Sequence, residues 1–250
     1  MTQFAKSSKK RKTRLICLWS GPRNVSTALM YSFAERADTQ IVDEPLYGHY
    51  LSRTDVQHPA AAEVIAAMNC DGQQVINDLL ARCDAPVTFA KHMAHHLIEL
   101  DEGFLQQTIN VLLVRNPRDM LPSLSRQIPE PTLRDTGLKR QWELLKTLQR
   151  LGQSPAVLDA QQLLADPPGV LRQLCEHIGI DFDASMLQWR AGARDEDGVW
   201  APHWYHNVHK STGFDDYHER TEVPDHLQAV LAQCAPYYDY LRKHAICATD

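Results

Sequence analysis

The sequence predicts an α/β protein: a three-layer α/β/α domain on a central parallel sheet, with a phosphate-loop-like strand-loop-helix and a helical cap. Three observations carry this reading. Short, near-continuous apolar runs alternate with helical patterns, as strands buried on both faces of a parallel sheet do. The stretch "WSGPRNVST", Trp19 to Thr27, joins one such strand to a helix through the small and polar residues of an anion-binding turn. Polar or charged residues also stand just past the ends of the first four strands, where ligands bind in open α/β sheets.

Taken in order, residues 1–13 form a leader, and residues 14–250 a single α/β domain. The basic run "KKRKTR", Lys9 to Arg14, reads as a solvated, flexible segment with no long apolar stretch behind it. The expected strands are "RLICLW" (14–19), "TQIVDE" (39–44), "VTFAKH" (87–92), "INVLLVR" (109–115) and a weaker "PAVLDA" (155–160). The segment from about Val56 to Ala81 has helical spacing and reads as a cap over the sheet's edge. "DPPGVLRQLCEHIGI" predicts a structural helix with Asp166 as N-cap, prolines in its first turn and Gly179 as its stop. Asp195 to Tyr217 is a long irregular loop rich in His and Trp, a composition that favours function. A helix from Pro224 to about Lys243 closes the chain.

Composition excludes some classes of function. Lys and Arg total 26 against 31 acidic residues, so no global positive field draws the chain to nucleic acid or to a membrane surface. No segment approaches the ~20 apolar residues of a membrane span. The six cysteines form no CxxC pair, which argues for reduced thiols and a cytoplasmic setting.

Set against the nucleotide-hydrolase pattern G-x-x-x-x-G-K-[ST], the loop from Gly21 places Thr27 where the lysine belongs and Ala28 where the magnesium-binding hydroxyl belongs. Anion capture survives that loss. Backbone N–H groups at a helix N-terminus, the Ser26 and Thr27 hydroxyls and the Arg23 guanidinium all suit a phosphate-like group. An ordinary turn capped by Ser26 or Thr27 would carry the same residues. A second signal is "LLVRNPRDMLPSLSR". Arg115 ends a strand and Ser123 lies on the following helix, so the two would grip one phosphate from two sides. The alternative is an Arg115 paired with Asp119 and a solvent-facing Ser123.

Together the two signals resemble the sulfotransferase family. Its Pro-Lys-Ser-Gly-Thr-Thr loop is matched by Pro22, Arg23, Asn24, Val25, Ser26 and Thr27. Its Arg-x7-Ser motif, within a pattern like R-N-P-x-D, is matched by Arg115, Asn116, Pro117, Asp119 and Ser123. Arg23 departs from a lysine and Val25 from a glycine. The resemblance implies 3′-phosphoadenosine 5′-phosphosulfate (PAPS) as sulfonate donor. The first motif, Gly21 to Thr27, would cradle the 5′-phosphosulfate, and Arg115 with Ser123 would hold the 3′-phosphate. A small-molecule hydroxyl or amine would be the acceptor, with no metal required.

Sulfonyl transfer needs a base for the acceptor proton and cations for the oxygens around sulfur. Glu44, before Pro45 at the end of the second strand, resembles the glutamate that several branches of the family place there; it would otherwise cap a helix or pair with an arginine. His92 is the rival base, because cytosolic members carry Lys-Thr-His at the end of the corresponding strand. Lys91 would be a charge partner. The resemblance also implies a late loop folding over the 3′-phosphate, with Lys210 and Gly213 serving there and Trp200 or Trp204 facing adenine or acceptor. Two histidine groups, His92/His95/His96 and His203/His206/His209, lack a matching Cys or acidic ligand, so no metal site is expected. Against the sulfotransferase reading stand a metal-dependent nucleotide kinase or hydrolase and a non-catalytic nucleotide-binding module on the same fold. The identity of the acceptor has no signature, and a homo-oligomer is compatible with the sequence.

Overall fold

The computed structural model describes residues 13–217 and 222–248. The basic leader, apart from Thr13, lies outside the described residues. All five expected strands form: β1 (Arg14–Ser20), β2 (Thr39–Asp43), β3 (Val87–Met93), β4 (Ile109–Val114) and β5 (Ala156–Asp159). A sixth, β6 (Ala245–Ile246), pairs with Val157 and Leu158 of β5 and was not expected. Two residues after a helix offer no apolar run to detect. The strands make one sheet in the order β2-β3-β1-β4-β5-β6, with every neighbouring pair parallel.

That order fixes where a ligand belongs. From β1 the chain builds β2 and β3 on one side, then crosses to β4 on the other. The sheet's direction of growth therefore reverses at the carboxyl end of β1, where a crevice opens. Alternation along the buried strands sends side chains into two layers. Ile16, Leu18, Phe89, Val111, Leu113 and Leu158 face α1 (Ser26–Ala34), α8 (Ala160–Ala165) and α9 (Pro167–Ile178). Cys17, Trp19, Ala90, Leu112 and Val157 face the opposite layer, which includes α4 (Gly72–Ala81), α5 (Pro117–Leu124), α7 (Leu138–Arg150) and α11 (Gln228–Arg242).

The expected cap is two helices with different duties. α4 sends Ile76 and Leu79 into the main core. α3 (Ala61–Ala67) sends Val64 into a separate cluster with Tyr47, Tyr50, Trp200 and Tyr205, which roofs the crevice. The short α2 (Tyr47–Ser52) and α10 (Ala201–Trp204) complete that roof, and α6 (Leu133–Thr136) leads into α7. α9 has the predicted ends: Asp166 accepts from the Gly169 N–H, and Gly179 takes a left-handed φ of 72°. No helix among the described residues is long and apolar enough to cross a membrane.

Candidate active site

The loop after β1 enters its helix without a side-chain cap. The N-cap of α1 is Val25 at φ 61°, and Ser26 and Thr27 are already helical, so the capped-turn alternative does not hold. First-turn amides that no side chain satisfies are available to an anion. Arg23 is also left-handed, at φ 57°. Two non-glycine residues in that region within three positions are uncommon, most of all for a β-branched valine. The loop is fixed from below, where buried Asn24 donates its Nδ2 to the Leu113 carbonyl at 2.7 Å. Gly21 permits close packing, since a Cβ there would overlap the Thr136 carbonyl oxygen.

The two sequence motifs converge. Arg115 Nη1 donates to the Arg23 carbonyl at 2.8 Å, and Arg23 Nε donates to Ser123 Oγ at 3.0 Å. Asn116 and Pro117 explain the placement of Ser123: Asn116 caps α5 by accepting from the Arg118 N–H, and Pro117 occupies its first turn. Arg23 Nη1 also donates to the Trp204 carbonyl at 3.0 Å. Among the described residues, these hydrogen-bond partners of the Arg23 side chain are neutral. Burial, then the charges of Arg115 and Arg126, lower its pKa from the usual value. Arg23 is thus a half-buried guanidinium beside two further arginines, at a helix N-terminus that has no side-chain cap.

Beside the loop lies a charge cluster. β2 ends at Asp43, and Glu44 turns at φ 40° while its N–H bonds the Lys91 carbonyl at 2.9 Å. Lys91, fully buried, places Nζ 2.8 Å from Asp43 Oδ1 and 2.8 Å from Glu44 Oε1. Nζ also lies 2.5 Å from Tyr205 Oη and 3.2 Å from Thr27 Oγ1. Tyr205 donates to Asp43 Oδ2 at 2.7 Å and accepts from Trp200 Nε1 at 3.0 Å. Burial raises the Glu44 pKa, and Asp43 adds to this against the opposing pull of Lys91. Burial alone would lower Lys91, but the two carboxylates outweigh it and hold the ammonium charged. Lys91 and Tyr205 both engage Oε1 of Glu44. Glu44 itself lines the cavity.

That cavity, about 460 Å³, is lined by Pro22–Ala28, Arg115 and Ser123 together with Glu44, Tyr47, His58, His95, His96 and Trp204. It brings together most residues expected from the sequence. Four fall elsewhere. Gly21 packs beneath the loop. His92 points to the opposite face of the sheet from Lys91 and stacks on Trp19 with ring centroids 4.4 Å apart; burial and Lys91 push its pKa down to about 3. It does not line the cavity, because adjacent strand residues alternate faces. Lys210 is exposed and outside the lining, whereas Gly213 and Trp204 are part of it. Lys91 lies behind Glu44 and does not touch the cavity.

Sequence reasoning missed Asp43 and Tyr205 as members of the charge cluster, and Tyr47 and His58 as wall. The Asp43–Glu44 pair was the one signal available for the cluster. Among the described residues, no group of three or more His, Cys, Asp or Glu could hold a metal ion.

A parallel sheet whose reversal point brings a helix N-terminus without a side-chain cap, two arginines and a carboxylate onto one cavity wall has the architecture of an α/β ligand-binding domain. The chain belongs to the sulfotransferase domain family, whose model matches residues 14–245. In fold it is similar to the sulfotransferase domain from the curacin biosynthetic pathway, with a TM-score of 0.55 at 16% identity, covering 90% of this chain and 98% of that one. The sulfotransferase domain from the Synechococcus PCC 7002 olefin synthase follows at 0.53 and 16%, covering 94% and 98%. In sequence, the chain is 39% identical over 233 residues to branched-chain-amino-acid aminotransferase-like protein 2 of Arabidopsis thaliana, covering 92% of this chain and 42% of that protein. Protein 1 of the same name is 40% identical over 230 residues, covering 90% and 41%. The chain thus spans about two fifths of the length of these curated relatives.

Proposed function

We propose that this domain moves a sulfonate group from PAPS to the hydroxyl or amine of a small-molecule acceptor. The observation that carries the reading is the meeting of Arg23, Arg115 and Ser123 at the uncapped N-terminus of α1, on the wall of one cavity. The residues fit the donor's chemistry. Two guanidiniums, a hydroxyl and free amides suit a nucleotide with phosphate at one end and phosphosulfate at the other. PAPS supplies an activated sulfonate whose leaving group is adenosine 3′,5′-bisphosphate.

The chain's own residues do the rest. Arg23 and the first-turn amides of α1 neutralise the oxygens around sulfur, work that needs donors fixed in place more than covalent chemistry. Arg115 and Ser123 favour the 3′-phosphorylated donor. Glu44 takes the acceptor proton, and burial has already raised its affinity for one. Lys91, Asp43 and Tyr205 hold Glu44 in place and keep the cluster's charge balanced. Lys91 is therefore a positioning residue.

The test is binding of adenosine 3′,5′-bisphosphate against adenosine 5′-monophosphate and against ATP with magnesium. The unaltered domain should bind the bisphosphate most tightly. Arg115→Ala should weaken it about 10- to 100-fold, the loss expected for a hydrogen bond to a charged group, and weaken the monophosphate far less. Equal losses for both would overturn the assignment.

A further inference from the structure

The half of the cavity around Glu44 contains chemistry that donor binding leaves unused. His95 and His96 lie in a single turn, Ala94–His96, directly after β3. They are 7% and 2% exposed, and both line the cavity. His96 is clamped between two rings: Tyr47 stacks at 4.8 Å and 5°, Tyr50 at 4.6 Å and 25°. Its plane cannot rotate without displacing one of them, so its edge is a fixed feature of the wall. Each Nδ1 is buried without a hydrogen-bond partner.

The charge state of this pair follows from its surroundings. Burial lowers the pKa of His95 to about 3 and that of His96 well below its usual value. The charges felt by the pair come from His58, Asp135 and Arg134 on neighbouring segments, from His92 and Lys91 behind the wall, and for His96 from His95 itself. Both rings are neutral at physiological pH, with one N–H each. A buried N–H left without an acceptor is rarer than a buried acceptor left without a donor. The orphaned Nδ1 atoms are therefore assigned as acceptors, and each proton as carried by Nε2.

We propose that His95 and His96 select the acceptor, presenting imidazole N–H donors that bind a carbonyl-type oxygen on an uncharged hydroxyl compound. The inference rests on the sulfotransferase reading, with the acceptor hydroxyl at Glu44 and the remainder of the molecule along the imidazole wall. Uncharged follows from the field. An anion would meet the carboxylates of Glu44 and Asp135, both on the cavity wall. A cationic group offers no lone pair to the two N–H donors, and Lys91 already takes the cation position beside Glu44, 2.8 Å from its Oε1. An oxygen acceptor satisfies those donors, and a site built to hydrogen-bond a group discriminates against analogues lacking it.

Matched phenols test this on the full chain by calorimetric titration, with and without saturating adenosine 3′,5′-bisphosphate: 4-hydroxyacetophenone, 4-ethylphenol, 4-hydroxybenzoate and tyramine. The ketone should bind about fivefold or more tighter than the ethyl compound, the worth of one neutral hydrogen bond, and the benzoate should bind weakest. His96→Phe retains a ring between the two tyrosines, and His95→Phe provides a second variant should either fail to fold. In a folded variant the ketone's advantage should shrink towards that of the ethyl compound, while affinity for the nucleotide stays unchanged. Equal affinity for ketone and ethyl compound in the unaltered domain, an advantage that survives both substitutions, tightest binding of benzoate or tyramine, or no binding of any phenol would overturn the proposal. Failure of nucleotide binding with the ketone's advantage intact would sink the donor reading and leave the imidazole selectivity standing.

Discussion

Replacing Lys91 by Met removes the one cation that two buried carboxylates share. Its Nζ lies 2.8 Å from each of Asp43 and Glu44, and its side chain is 0% exposed. Met fills a similar volume, so the change is mainly one of charge. Removing one partner of a buried ion pair costs about 3–5 kcal/mol because the other charge is left uncompensated. For a domain of this size each kcal/mol moves Tm by roughly 2–4 °C, so Tm should fall by about 6–20 °C at pH 8. The loss should depend on pH, with a definite sign. Glu44 has a raised pKa in the folded state, so its contribution to stability is fully present below the unfolded carboxylate value and is lost as pH rises through the folded one. Without Lys91 that loss steepens, and the penalty should be smallest near pH 5. Adding Glu44→Gln to Lys91→Met should restore part of the stability. Differential scanning fluorimetry from pH 5 to 8.5 measures all three quantities. A fall in Tm below 2 °C at pH 8, or a penalty equal at both ends of the range, would refute the charge-sharing argument.

Glu44→Gln alone should lower sulfonate transfer about 10²- to 10⁴-fold, as expected on losing a general base, while nucleotide affinity measured by titration is retained. In the unaltered domain the transfer rate should rise with pH through the raised pKa of Glu44, since the base must be unprotonated; a falling limb over that range would count against it. His92→Leu should keep transfer within about threefold, because the ring stacks on Trp19 and carries no hydrogen bond; a hundredfold loss would return His92 to the chemistry. Gly21→Ala should cost about 1–3 kcal/mol in urea unfolding, since a new Cβ meets the Thr136 carbonyl and the backbone has to shift. A stability change within 0.5 kcal/mol would show that the loop yields more easily than its packing implies.

Motif residues were legible because their geometry is local. Gly21 to Thr27 spans one strand-to-helix turn, and the eight-residue step from Arg115 to Ser123 spans another, so spacing alone carried both. That the two would touch through Arg23 follows from β1 and β4 being neighbours in the sheet, which no local pattern encodes. Lys91 and His92 show the limit differently. A strand covered on both faces is apolar throughout and gives no parity, so nothing in "VTFAKH" tells which of two adjacent side chains looks towards α1. Tyr205 was hidden inside an irregular loop, and its partners lie 162 and 114 residues away in sequence. The left-handed φ values of Arg23 and Val25 were equally unreadable, because neither residue type advertises that conformation.

The segment carrying Trp200, Trp204 and Tyr205 is joined to α1 at a further point, where Tyr31 Oη donates to the Asp197 carboxylate and His209 Nε2 lies 2.9 Å from Asp197 Oδ2. On the ribosome this segment emerges long after the strands it completes. Lys91, Asp43 and Glu44 can then come together while the hydroxyl that bridges them is still unsynthesised, and Arg23 waits equally for the Trp204 carbonyl. Translation order thus separates the synthesis of β1 to β5 from the making of a working crevice, and a nascent chain stopped before residue 195 would contain those five strands without the residues that complete the crevice.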